Sequence, residues 1–173
     1  MYGSFIIEDP IVLMNSDNKS SINIEPTYQG LWYFFVDSVQ RNIGKINKSL
    51  IGLSETIMNS IFGNELPNLN LFKSVDESLF IKFKDLDWLD SFTSIESYNE
   101  QIGIFSSINK QSIKDNRKVF SECSSSTLGK FNAGISSIGA VSITGKGNNN
   151  FPIHTITDYS DKCVHGIKII FLK

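Results

Sequence analysis

The feature that most constrains the fold is a regular apolar stripe between residues 39 and 57. Its members follow one another at spacings of four, three, four, three and four residues: Val39, Ile43, Ile46, Leu50, Leu53 and Ile57. This spacing is typical of side chains that share one face of an α-helix. Extended backward through the aromatic segment 32–35, the pattern predicts a long amphipathic helix from about 28 to 62, ending near Gly63.

Such a stripe has two ordinary uses, which the sequence leaves open. It packs a helix onto the protein's own sheet, or it forms the seam of a coiled-coil dimer. The stripe lasts only about three heptads and its flanks lack a regular pattern of opposite charges, which favours packing on a sheet. A dimer through the 39–57 helix stripe is the alternative.

The remaining pattern predicts an antiparallel sheet that this helix would cover. Turn residues between two extended segments predict an N-terminal hairpin within 3–26, and alternation predicts a strand near 79–84. A C-terminal hairpin is expected within 151–173, and helical spacing predicts one or two shorter helices within about 93–121. Since no repeat or linker interrupts the chain, the expected fold is a single α+β domain over 1–173.

Composition and charge exclude several classes of protein. Sixteen basic and eighteen acidic residues give a net charge of −2, so there is no basic field to hold a nucleic acid. The longest fully apolar run, 31–36, is too short to cross a membrane, and the start lacks the basic leader of a signal peptide. Cys123 and Cys163 are the only cysteines, which predicts reduced thiols in a cytoplasmic protein.

An acidic and aromatic segment follows the predicted strand near 79–84. Its carboxylates surround a tryptophan: Asp85, Asp87, Trp88 and Asp90. The glycine turn and distal glutamate of a calcium-binding EF-hand loop are missing, so a solvated acidic turn is the plain interpretation. Carboxylates around an aromatic ring also suit a binding hot spot, where the ring anchors a basic partner protein and the charges steer it.

The segment HTITDYSDKCVHG holds both histidines of the chain and one cysteine. Zinc coordination by Cys163 and His165, with His154 and Asp161, lacks the paired short spacings of structural zinc sites, so no metal is expected. His154 and His165, with Cys163 or Tyr159, would also meet the bare needs of nucleophilic or acid–base catalysis. The plain interpretation is a polar hairpin turn before the last strand.

Two functional hypotheses follow from these residues. The first is a non-enzymatic protein-binding module, for instance an immunity or inhibitor protein that neutralises a basic toxin or nuclease domain through the acidic segment. The alternative is a metal-independent nuclease or transferase that uses His154 and His165. A structural role through the 39–57 stripe is third. Neither glycine-rich phosphate-binding motif is present, so no cofactor is expected.

Overall fold

A computed structural model describes most of the chain and shows a protein dominated by strands. The described residues are 2–15, 20–37, 48–63, 72–75, 77–91, 93–129, 131–145 and 150–171. Within these ranges the backbone forms eleven strands, four short α-helices and one 3-10 helix, Pro10–Leu13. The strands belong to one mixed sheet, which curves into a nearly closed barrel.

The bounds of the elements show how short most of them are. The strands are β1 (Gly3–Glu8), β2 (Ser21–Thr27), β3 (Trp32–Asp37), β4 (Lys48–Ser54), β5 (Phe72–Ser74), β6 (Thr93–Glu96), β7 (Gln101–Ser106), β8 (Ala133–Ser136), β9 (Gly139–Ile143), β10 (Asn150–Asp158) and β11 (Cys163–Phe171). The α-helices are α1 (Glu55–Phe62), α2 (Glu77–Lys84), α3 (Ser107–Gln111) and α4 (Asn116–Ser126).

The strand β11 is the hub of the sheet. The main order of strands is β5-β3-β4-β11-β2-β1-β7-β9-β8, and β11 also pairs with β10, which in turn pairs with β6. Most of these pairs are antiparallel, while β3–β5 and β2–β11 are parallel. Because a strand with partners on both sides is shielded from water, the segment 167–171, apolar except for Lys168, suits this central position.

The core has one cluster inside the barrel and two outside it. The inner cluster takes side chains from most of the strands and includes edge-to-face aromatic pairs, such as Phe5 with Trp32 at 4.9 Å between ring centroids. One outer cluster lies beneath α1 and α2, and the other beneath α4 and the 3-10 helix. Burying each such aromatic or aliphatic side chain contributes about 1.5–3 kcal/mol.

The long amphipathic helix predicted over about 28–62 is wrong, and so is the α+β arrangement built on it. The structure has β3, β4 and α1 in this region, and residues 39, 43 and 46 of the stripe lie outside the described residues. Leu50 and Leu53 lie in β4 three residues apart, so they point to opposite faces, one into the barrel and one beneath the helices. They therefore cannot share a helical dimer seam. Both faces of β4 are buried, and such strands carry apolar runs that periodicity alone cannot separate from a helix.

Two further element predictions are wrong. Residues 79–84 form part of the helix α2, in which Leu79 and Phe83 are buried four residues apart on one face. The helical spacing from residue 93 onward belongs instead to the strands β6 and β7. Over such short segments, the apolar residues fit both the alternating pattern of a strand and the period of a helix. Packing against the barrel then determines which element forms.

Other local predictions are confirmed. The N-terminal hairpin is present as the antiparallel pair β1–β2, and the C-terminal hairpin as the pair β10–β11. Of the one or two shorter helices expected within about 93–121, one corresponds to α4, whose first turn is capped by the Asp115 carboxylate. No helix in the described part of the chain has both the length and the hydrophobicity to span a membrane.

Candidate functional site

The two histidines lie on neighbouring strands but are not brought together. The register of β10 on β11 pairs His154 with Lys168, three residues beyond His165. His154 lies on the outer side of the sheet, since its partners across the strands are Lys168 and then Ile51 of the outer cluster. His165 stands at a register shift of the β10–β11 pair and is buried against Tyr28, which packs on the inner cluster. The ring Nδ1 of His154 lies 2.9 Å from the carbonyl oxygen of Leu89. A catalytic mechanism that needs both histidines at one substrate finds no support in this arrangement.

His165 is the centre of a buried polar network. Its Nδ1 lies 2.7 Å from the Ser54 hydroxyl, and its Nε2 lies 2.7 Å from the Asp161 carboxylate. The Ser54 oxygen caps α1 by accepting from the Ile57 N–H, so its proton is free to go to the histidine. The Nε2 N–H of the histidine then donates to the Asp161 carboxylate, so that the serine, the histidine and the aspartate each have a hydrogen-bond partner. The serine is fully buried, and its hydroxyl is therefore closed to a substrate in this structure.

The serine, histidine and aspartate connect three parts of the chain. Ser54 stands at the junction of β4 and α1, His165 lies in β11, and Asp161 lies in the turn between β10 and β11. The Tyr28 ring packs on the histidine at 5.1 Å between centroids. Sequence reasoning found His165 and Asp161 but missed Ser54 and Tyr28, because nothing local marks residues so far apart in the chain as neighbours.

The turn between β10 and β11 also gathers three side chains of metal-binding type. One ligand atom from each of Asp158, Asp161 and His165 lies within 4.8 Å of the others. A metal ion at this turn would displace the hydrogen bond between His165 and Asp161. Asp158 instead accepts from the Ser160 hydroxyl and N–H at 2.7 and 2.8 Å, and these bonds lower the pKa of its carboxyl group. The arrangement is that of a hydrogen-bonded turn.

Both cysteines are buried free thiols. Burial raises the pKa of Cys123 to about 11 and also raises the pKa of Cys163. Neither thiol is therefore activated for attack or for metal coordination, both of which require the thiolate.

We expect both cysteines to resist modification in the folded protein. Since the thiolate is the reactive form, Ellman's reagent at neutral pH should label them at least about a hundredfold more slowly than in the urea-unfolded chain. The release of thionitrobenzoate from folded and unfolded samples measures this ratio. Rapid labelling of one thiol in the folded protein would contradict its burial.

The acidic and aromatic segment at 85–90 has exposed carboxylates and a half-buried tryptophan ring. Asp85, Asp87 and Asp90 are exposed. The Trp88 indole N–H donates to the carbonyl oxygen of Phe83 at 2.8 Å, and the ring packs under the Lys168 ammonium at 4.4 Å. Trp88 thus packs the end of α2 onto the sheet and keeps part of its side chain exposed. Its role as the anchor of a binding hot spot stays a prediction.

Two other apolar side chains are exposed beside these carboxylates. Leu89 is 38 % exposed and Tyr159 is 78 % exposed. They border a cleft of about 540 Å³, called the acidic cleft below, which is lined by Ile57, Asp87, Leu89, Ile156, Thr157, Asp158, Tyr159 and Ser160. The Leu89 N–H donates to the Thr155 carbonyl oxygen at 2.9 Å, which fastens the acidic segment to β10. Sequence reasoning missed that Leu89 and Tyr159 line one cleft, because they come from segments far apart in the chain.

A second cavity, of about 300 Å³, lies between α2 and the outer face of the sheet. This lysine cavity is lined by Asp37, Lys48, Ser49, Ile51, Val75, Phe80, Phe83, Lys84, Trp88, Lys168 and Ile170. Burial lowers the pKa of Lys168, while the charge of Asp37 acts in the opposite direction. Nothing in the sequence predicts this site. A lysine among the apolar residues of a strand is equally expected where the strand lies at the edge of a sheet and the side chain reaches water.

The acidic cleft and the lysine cavity are two concave sites that differ in their chemistry. One joins carboxylates to exposed apolar side chains, and the other joins an ammonium group to an apolar enclosure. No protein family, curated protein or solved structure gives a significant match to the chain.

Proposed function

We propose that this protein is a non-enzymatic binding module that docks a basic protein in the acidic cleft. The observation that carries the proposal is the exposure of Tyr159 and Leu89 directly beside the carboxylates of Asp87 and Asp158. An apolar anchor ringed by charge is the usual composition of a protein-binding hot spot.

The negative charge of the cleft favours a positively charged partner. Its lining includes Asp87 and Asp158, and no lysine or arginine among the described residues lines it. Asp85 and Asp90 add two exposed carboxylates on the same segment. Because hydrogen bonds from Ser160 lower the pKa of Asp158, this carboxylate is ionised throughout the neutral range. Such a field attracts Lys and Arg side chains and speeds their association at low salt.

The apolar side chains select a protein over a simple cation. Tyr159 offers a large ring with a polar tip, a type of side chain enriched in protein interfaces. The floor of the cleft is formed by Ile57 and Ile156, which provide a surface for one apolar side chain of the partner. The partner is therefore a basic protein surface that projects an apolar residue between Lys or Arg side chains. An inhibitor or immunity protein acting in the cytoplasm on a basic toxin or nuclease domain would use such a surface.

The proposal is tested by placing a photo-crosslinking residue in the cleft. We expect p-benzoylphenylalanine at position 159 to capture a basic protein when the tagged protein is irradiated in its native host. The same residue at Tyr2, which is also exposed, serves as the matched control and should give no such adduct. Mass spectrometry identifies the captured protein and its isoelectric point.

Charge variants make the same test quantitative. The double variant Asp87→Asn/Asp158→Asn should weaken the captured complex by roughly tenfold or more at low salt, because each exposed charge pair contributes up to about 1 kcal/mol. Glu100→Gln/Asp115→Asn removes two exposed acids that do not line the cleft and should leave binding unchanged. An identical adduct at positions 2 and 159, or equal affinity of the two double variants, would overturn the proposal.

A further inference from the structure

We propose that the lysine cavity binds a small organic anion with an apolar ring, of the class of the aryl carboxylates. This site is separate from the acidic cleft and goes beyond the docking of a protein partner. The carboxylate would pair with the Lys168 ammonium, and the ring would lie against the apolar wall formed by Trp88, Phe83 and Ile51.

The ammonium group of Lys168 is the polar centre of the cavity. It lies 4.4 Å from the centroid of the Trp88 ring, and the charge of Asp37, which lines the same cavity, also acts on it. No acceptor in the described part of the chain lies within hydrogen-bonding or salt-bridge distance of this ammonium group. An ammonium group carries three donors, and withdrawing them from water without acceptors is costly. A ligand carboxylate in the adjoining space would supply those acceptors.

The position of Lys168 follows from the register of the sheet. Ile51 of β4 is its direct neighbour on one side, and His154 of β10 on the other. All three side chains therefore share the outer face of the sheet, and α2 crosses over part of this face. The aliphatic part of the Lys168 side chain packs among apolar groups, and its ammonium group extends into the cavity. There the ammonium group is partly removed from water.

The enclosure suits an apolar ring. Its walls include six apolar side chains from the sheet, from α2 and from the segments that flank this helix: Ile51, Val75, Phe80, Phe83, Trp88 and Ile170. A volume of about 300 Å³ is at the lower end of the range for small-molecule sites. It accommodates one ring with a short acidic arm. The pairing of an apolar enclosure with one charged group is the usual design of such a site.

The net positive charge of the cavity lining favours an anionic ligand. Three lysines and one aspartate line the cavity, an excess of two positive charges. Lys84 is exposed at the last residue of α2, and the ammonium of Lys48 donates to the Asn132 carbonyl oxygen at 3.3 Å. Lys168 is therefore the lysine that is both partly buried and open to a new partner.

The test compares an acid with a neutral molecule of the same shape. We expect fluorine NMR to show binding of 4-(trifluoromethyl)phenylacetate to the full chain, with its primary amide binding about tenfold or more weakly, because a hydrogen bond to a charged group exceeds a neutral one. Lys168→Met keeps the apolar stem and should reduce the affinity for the acid by a similar factor. Lys82→Met removes an exposed lysine that does not line the cavity and should have no effect.

The two tryptophans locate the bound acid. The indole N–H resonance of Trp88, which lines the cavity, should shift on titration, and that of Trp32, which is buried inside the barrel, should not. Unchanged thermal midpoints or a preserved Trp32 resonance would show that the variants fold. Equal binding of acid and amide, undiminished binding to Lys168→Met, or no binding of the acid at millimolar concentration would each overturn the proposal.

Discussion

Replacing Asp9 with alanine is expected to lower the free energy of unfolding by roughly 3–5 kcal/mol, a large effect for a single polar substitution. The carboxylate is fully buried and receives four hydrogen bonds. One oxygen accepts from the Ile11 N–H at 2.9 Å, which caps the 3-10 helix. The other accepts from the N–H groups of Tyr98 and Asn99 at 2.7 and 2.5 Å and from the Ser97 hydroxyl at 3.3 Å. Alanine removes the acceptor of three backbone N–H groups at partly buried positions and one of the two acceptors of the buried Ser97 hydroxyl.

Urea unfolding followed by far-ultraviolet circular dichroism measures this loss. Asp9→Asn should fall between alanine and the native residue, since its amide keeps one acceptor oxygen but turns a donor toward other donors. Asp115→Ala is the matched control, because this aspartate caps α4 from an exposed position through one bond, to the Lys118 N–H at 3.1 Å. Its removal should cost about 1 kcal/mol. Equal losses for the two alanine variants would show that the buried network is not what stabilises this corner.

His165→Ala is expected to cost roughly 2–4 kcal/mol, because it removes a buried ring and two hydrogen bonds at once. The Ser54 hydroxyl would lose its acceptor inside the protein, and the packing against Tyr28 would be lost. The Asp161 side chain would also lose one of its two hydrogen bonds to β11, keeping the one from the Cys163 N–H at 2.9 Å. Since Tyr159 lies in the same turn as Asp161, the acidic cleft depends on this network for its shape.

A double-mutant cycle separates the hydrogen bond from the packing. The cycle uses His165→Ala, Asp161→Asn and the combined variant, and a coupling energy of about 0.5–3 kcal/mol is expected for groups in direct contact. His154→Ala serves as the control, since that ring is half-buried and makes one hydrogen bond, and its loss should cost less than about 1.5 kcal/mol. If His154→Ala destabilises the protein as much as His165→Ala, the structural role assigned to His165 is wrong.

The elements that the sequence predicts correctly are those with local causes. Turn chemistry between two extended segments specifies the C-terminal hairpin, and the Asp115 cap marks the start of α4. Each of these signals acts over a few residues, so its outcome depends little on the rest of the chain. The N-terminal hairpin is present as the pair β1–β2, and residues 16–19 of its predicted turn lie outside the described residues. The 39–57 stripe failed because Leu50 and Leu53 are both buried, on opposite faces of a strand that has a layer of packing on each side.

The candidate sites were predictable only in part. Asp85, Asp87 and Asp90 are exposed as a charged turn should be, because isolated carboxylates are most stable in water. The direction of the Trp88 ring was not predictable, since it depends on the carbonyl oxygen of Phe83 and on Lys168, which comes from a distant strand. The same applies to the cavity around Lys168, whose walls come from segments far apart in the sequence.

The sequence by itself determined the local turns, the two hairpins, the helix α4 and a charge balance without a basic field. Tertiary structure alone decided that His165 meets Ser54, 111 residues away, that His154 lies on the other face of the sheet, and that Lys168 lines a cavity. The physical reason is the range of the interactions. Turns and caps are formed by neighbours in the chain, whereas burial and pairing are set by strand register, which only the packed barrel defines.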